Sequence, residues 1–184
     1  MGTLQQAGQH LRDERHDRRV AGLAIDIGRQ LGMSGQQLDA VGRGGLLHDI
    51  GKLGIPAAIL EKTCALTEPE WRVMKTHPEL GLAILGGTGR YTREMLAVLY
   101  HHERMDGSGY PHGLAAAEIP IEARIVAVAD TYDVLTSDRP YRHAFTQVEA
   151  LRRILDEAGP HLDPRVVDAL LQVPAVNPRY LYVA

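Results

Sequence analysis

The stretch LLHDIGK, residues 46–52, ends an apolar run with a histidine and an aspartate side by side, and a lysine follows three places after the aspartate. Leu46 and Leu47 read as core. His48 and Asp49 do not belong in a core unless something pairs with them, because a buried charge without a partner or a metal is strongly penalised. In a helix, adjacent side chains point about 100° apart. Both can reach one ion, and the carboxylate has a second oxygen for another. By itself such a pair reads as a surface or helix-cap pair, so the rest of the chain decides.

Outward from this stretch, strand signals are nearly absent and helix signals recur. Residues 20–32 carry apolar side chains at helical spacing and end at Gly32. Ser34 with Gln37 forms a capping box for a helix running toward His48. Gly44 and Gly45 inside it cost about 1 kcal/mol each relative to alanine, which is tolerable where helices approach closely. GKLGIP, 51–56, breaks that helix. Thr67 with Glu70 opens another through Met74; 77–87 is a short helix closed by glycines, and 92–102 ends at His101-His102. Residues 105–114 form a glycine-rich loop, and 119–137 a long apolar helix interrupted by Asp130 and Asp133. Thr146 with Glu149 caps a helix to about Ala158, and Asp163-Pro164 starts the last one. The tail 178–184 reads as an extended or packing segment. The expected class is all-α: a single helical domain over 1–184.

Composition excludes several functions. The formal net charge is −3 and aromatic content is 5%, so neither a basic phosphate footprint nor a base-stacking platform for polymeric nucleic acid is expected. No apolar run approaches the roughly 20 residues that span a bilayer. The polar N-terminus lacks the apolar middle of a signal peptide. A cytoplasmic protein without membrane contact is expected. Cys64 is the only cysteine, which rules out an internal disulfide and a thiolate zinc cluster.

The other donors are individually bland. His16 reads as a solvated helix start, His77 as a cap or loop histidine, and His101-His102 as a helix end where histidine suits the dipole. Asp130 on a buried helix needs an arginine or a metal. Together, imidazoles and carboxylates without cysteine favour a nitrogen–oxygen site for iron, manganese or zinc.

Six ordered segments carry a family resemblance: HDRRVAGLA, LLHDIGKLGIP, MKTHPELG, HHERMDGSGYPHGL, ARIVAVADTYDVLTSDRPYR and GPHLDP. Over about residues 14–172 the sequence resembles the HD-GYP domain, a branch of the HD phosphohydrolase superfamily, with GYP at Gly109-Tyr110-Pro111. The resemblance implies a helical HD-domain bundle with a bridged metal centre. Its ligands would be His16, His48, Asp49, His77, His101, His102 and Asp130. Asp49 would bridge; His16, His48 and Asp130 would serve one ion, and His77, His101 and His102 the other. Some relatives hold a third metal through a glutamate where this chain has Arg12. A cation cannot ligate a metal, so two divalent ions are expected, iron or manganese.

The activity implied is hydrolysis of cyclic di-GMP, through pGpG, to GMP. A metal pair suits it, because such pairs lower the pKa of water and clamp phosphoryl oxygens. Lys52 would contact the scissile phosphate, although without the resemblance it reads as a surface lysine at a helix end. Asp133 would orient Lys52 or assist proton transfer to the leaving group, or is a helix-face ion pair. Arg139 and Arg142 would grip phosphate through planar forks. Gly107, Gly109 and Tyr110 would shape the site and contact nucleotide, and Glu103 would orient a ligand histidine. His10, His112, His143 and His161 read as solvated or structural. Two alternatives stand beside the enzyme. One is a weakly catalytic module that binds cyclic di-GMP or a GGDEF-domain partner through the DGSGYP loop. The other is a hydrolase of a mixed GMP–AMP cyclic dinucleotide. Homodimerisation is compatible with the family.

Overall fold

Residues 2–12 include three Gln and two Leu, good helix formers, and no Pro. Helix α1 accordingly spans Gly2–Gln30, well before the start that apolar spacing alone suggests. His16 therefore lies inside a helix rather than at its entrance. The structure is a computed structural model describing residues 2–86, 92–138 and 143–177, with side chains from residue 14 onward. The tail 178–184, Arg139 and Arg142 lie outside the described residues, as does the side chain of Arg12.

The chain continues through α2 (Gly35–Leu47), a 3-10 turn (Ile50–Gly54), α3 (Ala57–Leu60), α4 (Glu68–Met74), α5 (His77–Ile84) and α6 (Arg93–Tyr100). After the 105–114 loop come a second 3-10 turn (Ala116–Glu118), α7 (Ile121–Thr136), α8 (Gln147–Glu157) and α9 (Pro164–Leu170). No strand forms among the described residues; the loop is closed by one isolated bridge, Asp106 to Ala115. The expected caps form. Gln37 accepts from the Ser34 amide at 2.9 Å, Glu70 from Thr67 at 2.7 Å and Glu149 from Thr146 at 3.0 Å. Two short elements, α3 and the second 3-10 turn, left no signal strong enough to read.

Helix α7 is the axis. None of its residues is exposed, as expected of a helix covered on every side, and it touches α1, α2, α6, α8 and α9. Ile125, Val126, Val128 and Ala129 are fully buried there beside Val20, Ala24 and Ile27 of α1 and Ile154 of α8. Helix α2 wedges between α1 and α6 because two glycines let it. A Cβ on Gly45 would lie 2.9 Å from Ala21 Cα, and one on Gly44 would lie 2.6 Å from Ala97 Cβ. Gly51 is tighter still: its Cβ would lie 1.8 Å from the His77 carbonyl oxygen. The 3-10 turn thus sits directly on the start of α5. These approaches bring the ends of α2, α4 and α6 together over the middles of α1 and α7.

Candidate metal centre

Three imidazoles are fixed by one device. His48 Nδ1 donates to the Gly45 carbonyl at 2.8 Å, His77 Nδ1 to that of Met74 at 2.8 Å and His101 Nδ1 to that of Val98 at 2.9 Å. Each acceptor belongs to the last turn of α2, α4 or α6, where helix carbonyls lack intrahelical partners. A carbonyl can only accept, so the proton sits on Nδ1 and each Nε2 offers a lone pair. His16 is held likewise, with Nδ1 at 2.6 Å from Asp133 Oδ2.

The freed nitrogens converge. His77 Nε2 lies 3.4 Å from His101 Nε2 and 3.4 Å from Asp49 Oδ1. His48 Nε2 lies 3.5 Å from Asp49 Oδ2 and 3.9 Å from Asp130 Oδ1. His16 Nε2 is 3.3 Å from Asp130 Oδ1. His102 packs its ring 4.0 Å from that of His101. Two donor sets result, Asp49 with His77, His101 and His102, and His16, Asp17 and His48 with Asp49 again, so that Asp49 is common to both. Asp130 adjoins the second set through His16 and His48.

These residues fit divalent cations. His48 Nε2 is buried with no hydrogen-bond partner, which is costly unless something binds there. His77 and His101 turn two lone pairs toward each other at 3.4 Å, an arrangement that a cation relieves. The set is all imidazole and carboxylate, the chemistry of iron, manganese and zinc sites. Protonation agrees. Burial, then the neighbouring His48 ring, pushes His101 down to about 3. Burial also lowers His77 and, further, His102. All three are neutral and ligand-ready at pH 7. For Asp49, burial favours the neutral acid, but His48, Lys52, His101 and His77 outweigh it and keep the carboxylate ionised. Lys52 Nζ is in direct contact with Asp49 Oδ2.

His16 behaves oppositely. Burial disfavours its charge, yet hydrogen bonds to Asp130 and Asp133 prevail and raise it to about 9. Asp133 differs from the reading that set it beside Lys52. Its oxygens take His16 Nδ1 and the Arg19 guanidinium, with Arg19 Nη2 at 2.9 Å, so it orients a histidine rather than the lysine. Lys52 goes to Asp49 instead because both belong to the turn after α2. Arg19 and Asp17 escaped the sequence reading. Arg19 was legible only as one helical turn after His16; Asp17 Oδ1 lies 4.0 Å from His48 Nδ1, behind the ring.

The 105–114 loop covers the His102 side. Tyr110 stacks on His102 at 4.7 Å and 25°, and its amide donates to the His102 carbonyl at 3.2 Å. A Cβ on Gly109 would meet Glu103 Cα and the His102 oxygen at 2.5 Å each, so only glycine allows that approach. Gly107 turns the loop at φ +79°. Glu103, expected from sequence to orient a ligand histidine, serves the loop instead. Its buried carboxylate accepts from the amides of His112 at 2.8 Å and Leu114 at 3.0 Å, pinning the loop.

Comparison with known proteins places this arrangement. The family model described as HD domain matches residues 7–166, and the chain belongs to that family, carrying the HD-GYP pattern within it. The cyclic di-GMP phosphodiesterase response regulator RpfG of Xanthomonas campestris pv. campestris is 47% identical over 155 residues, 83% of this chain and 40% of the relative. The cyclic di-GMP phosphodiesterase PA4108 of Pseudomonas aeruginosa is 41% identical over 164 residues, 89% of this chain and 39% of the relative. The chain thus spans about two fifths of the length of these curated relatives. Among solved structures, Bd1817, a HDG"Y"P protein from Bdellovibrio bacteriovorus, superposes with a TM-score of 0.69 at 20% identity, covering 86% of this chain and 51% of its own. At that identity it shows the shared fold. No described helix is long and apolar enough to cross a membrane.

Proposed function

We propose that the chain is a metal-dependent cyclic dinucleotide phosphodiesterase that cleaves cyclic di-GMP. The observation carrying this is the convergence of Nδ1-tethered imidazoles on Asp49, with Nε2 lone pairs facing one another and no protein donor between them. His16, His48 and Asp130 would hold one cation, His77, His101 and His102 the other, and Asp49 both. Iron or manganese suits this donor set. When bound, such a pair supplies Lewis acidity toward a phosphoryl oxygen and offsets charge in the transition state.

The remaining residues act on the substrate. Lys52, held at the edge of the site by Asp49, presents its ammonium to the scissile phosphate. Arg139 and Arg142 contribute further cationic contacts. Tyr110, which burial keeps protonated, offers its ring face and a phenolic donor. Gly107 and Gly109 let loop backbone lie close to the nucleotide. Asp133 holds His16 in its tautomer. The names of the relatives support the substrate class, and the full donor set favours an enzyme over a sensor. A GGDEF-domain partner would meet the same 105–114 loop.

The test is metal content of anaerobically purified protein, with GMP and pGpG release followed after reconstitution with each metal. Asp49→Ala should lose both metal retention and turnover. Unchanged turnover in that variant, or wild-type protein that retains no metal, defeats the proposal.

A further inference from the structure

A cavity of about 360 Å³ borders His101, His102 and Asp130, and neither Lys52 nor Tyr110 lines it. Its far wall is made by Arg104, Arg153, Glu157 and His161. Leu135 and Leu162 add apolar surface. Ligand pockets range over roughly 300–1,000 Å³. This one is at the small end, suited to one nucleotide rather than a whole cyclic dinucleotide.

The far wall is braced. Glu157 Oε2 contacts His161 Nδ1, fixing the carboxylate. On its other side His161 Nε2 lies 3.4 Å from Arg104 Nη1 and 3.6 Å from Asp106 Oδ2. Arg153 is stacked on Phe145 with its guanidinium carbon 4.1 Å from the ring centre. The wall therefore holds a carboxylate acceptor flanked by two guanidinium donors, each with limited freedom. A carboxylate has more lone pairs than one histidine uses.

Resting on the phosphodiesterase reading above, we propose that this cavity seats a guanine base of the cyclic dinucleotide and that Glu157, with Arg153, reads it. Guanine offers amino and ring N–H donors on one edge and the acceptors O6 and N7 beside them. A carboxylate takes the donors and an arginine takes the acceptors. Adenine reverses the match: it presents an amino donor where guanine has O6, and an unprotonated ring nitrogen that faces the carboxylate lone pair to lone pair. A site built to hydrogen-bond one partner rejects the other because its own polar groups are left unpaired.

The metal-loaded full chain should be assayed with cyclic di-GMP, the mixed GMP–AMP cyclic dinucleotide and cyclic di-AMP. Wild type should rank them in that order of kcat/KM. Glu157→Gln should cut the preference for cyclic di-GMP over cyclic di-AMP by about tenfold or more, the scale of one lost bidentate base contact. Arg153→Gln should shift it the same way. Melting temperature and metal content should match wild type in both, since both positions are exposed on α8. An unchanged preference in Glu157→Gln and Glu157→Ala, or an equal loss on all three substrates, overturns the guanine seat and leaves the phosphodiesterase standing. Wild type that turns over none of the three sinks the phosphodiesterase reading, and the guanine seat with it.

Discussion

His16 carries a proton at neutral pH that no metal ligand can keep. Its pKa of about 9 comes from Asp130 and Asp133 against the opposing pull of burial. Binding a cation at Nε2 must displace that proton, whereas His77, His101 and His102 are already neutral. Metal uptake at pH 7 should therefore release about one proton, measurable by titration calorimetry in buffers of different ionisation enthalpy. In His16→Gln the release should vanish. A buffer-independent heat for wild type would count against the assignment. The same group sets the alkaline limb of metal-free stability. A pKa raised from 6.5 to about 9 stabilises the fold fully below 6.5, and that contribution disappears as pH climbs through 9. Asp133, lowered to about 2 by His16 and Arg19 against burial, works in the other direction. Its contribution is present above about pH 4 and is lost as pH falls through 2. Below pH 6.5 the unfolded chain also protonates His77, His101 and His102, which the fold keeps neutral, so urea midpoints of metal-free protein should peak near pH 6.5, falling on the acid side through these histidines and on the alkaline side through His16. A midpoint still rising from pH 7 to 9 contradicts this.

Elements matter here through where they stop. Helices α2, α4 and α6 all end in the same place, and each spends a terminal carbonyl on an imidazole Nδ1. Lengthening any of them by one residue would rotate its histidine by about 100° away from the others. The contact between the first 3-10 turn and α5 is the least forgiving joint. Gly51→Ala puts a methyl on the His77 carbonyl, against backbone that has no alternative rotamer. The expected cost is about 1–3 kcal/mol, read as a lower urea midpoint. The cation proposed at His77 should be lost before the one proposed at His16 and His48. Wild-type stability and full metal content in Gly51→Ala would show that the joint has slack.

At the scale of the molecule, α7 is the common wall of the site and the core, so closure of the bundle and formation of the site are one event. Asp163 fastens it. Buried, it caps α9 through the Arg165 amide at 2.9 Å and takes Arg124 Nη1 of α7 at 2.7 Å. Asp163→Ala removes the cap and leaves the Arg124 guanidinium, only 18% exposed, with the Ile119 carbonyl on its Nε but no counter-charge. Breaking such a pair costs about 3–5 kcal/mol, so a large drop in melting temperature is expected. Metal stoichiometry at low temperature should be retained, because Asp163 touches no candidate ligand. A drop within experimental error would mean the α7–α9 fastening is dispensable.

The sequence alone determined the helical class, the caps at Ser34, Thr67, Thr146 and Asp163, and which residue types gather, because periodicity, capping and donor chemistry are local properties. The ordered motifs made the family legible for the same reason. Tertiary structure alone decided the pairings. Asp133 serves His16 because α1 and α7 cross there, and Glu103 pins the loop because the chain folds back over it. The Nε2 atoms face inward because separate helices surrender carbonyls at one point. Such contacts join residues up to 117 positions apart, and nothing in the spacing along a chain encodes which of several carboxylates an imidazole will meet once the helices pack.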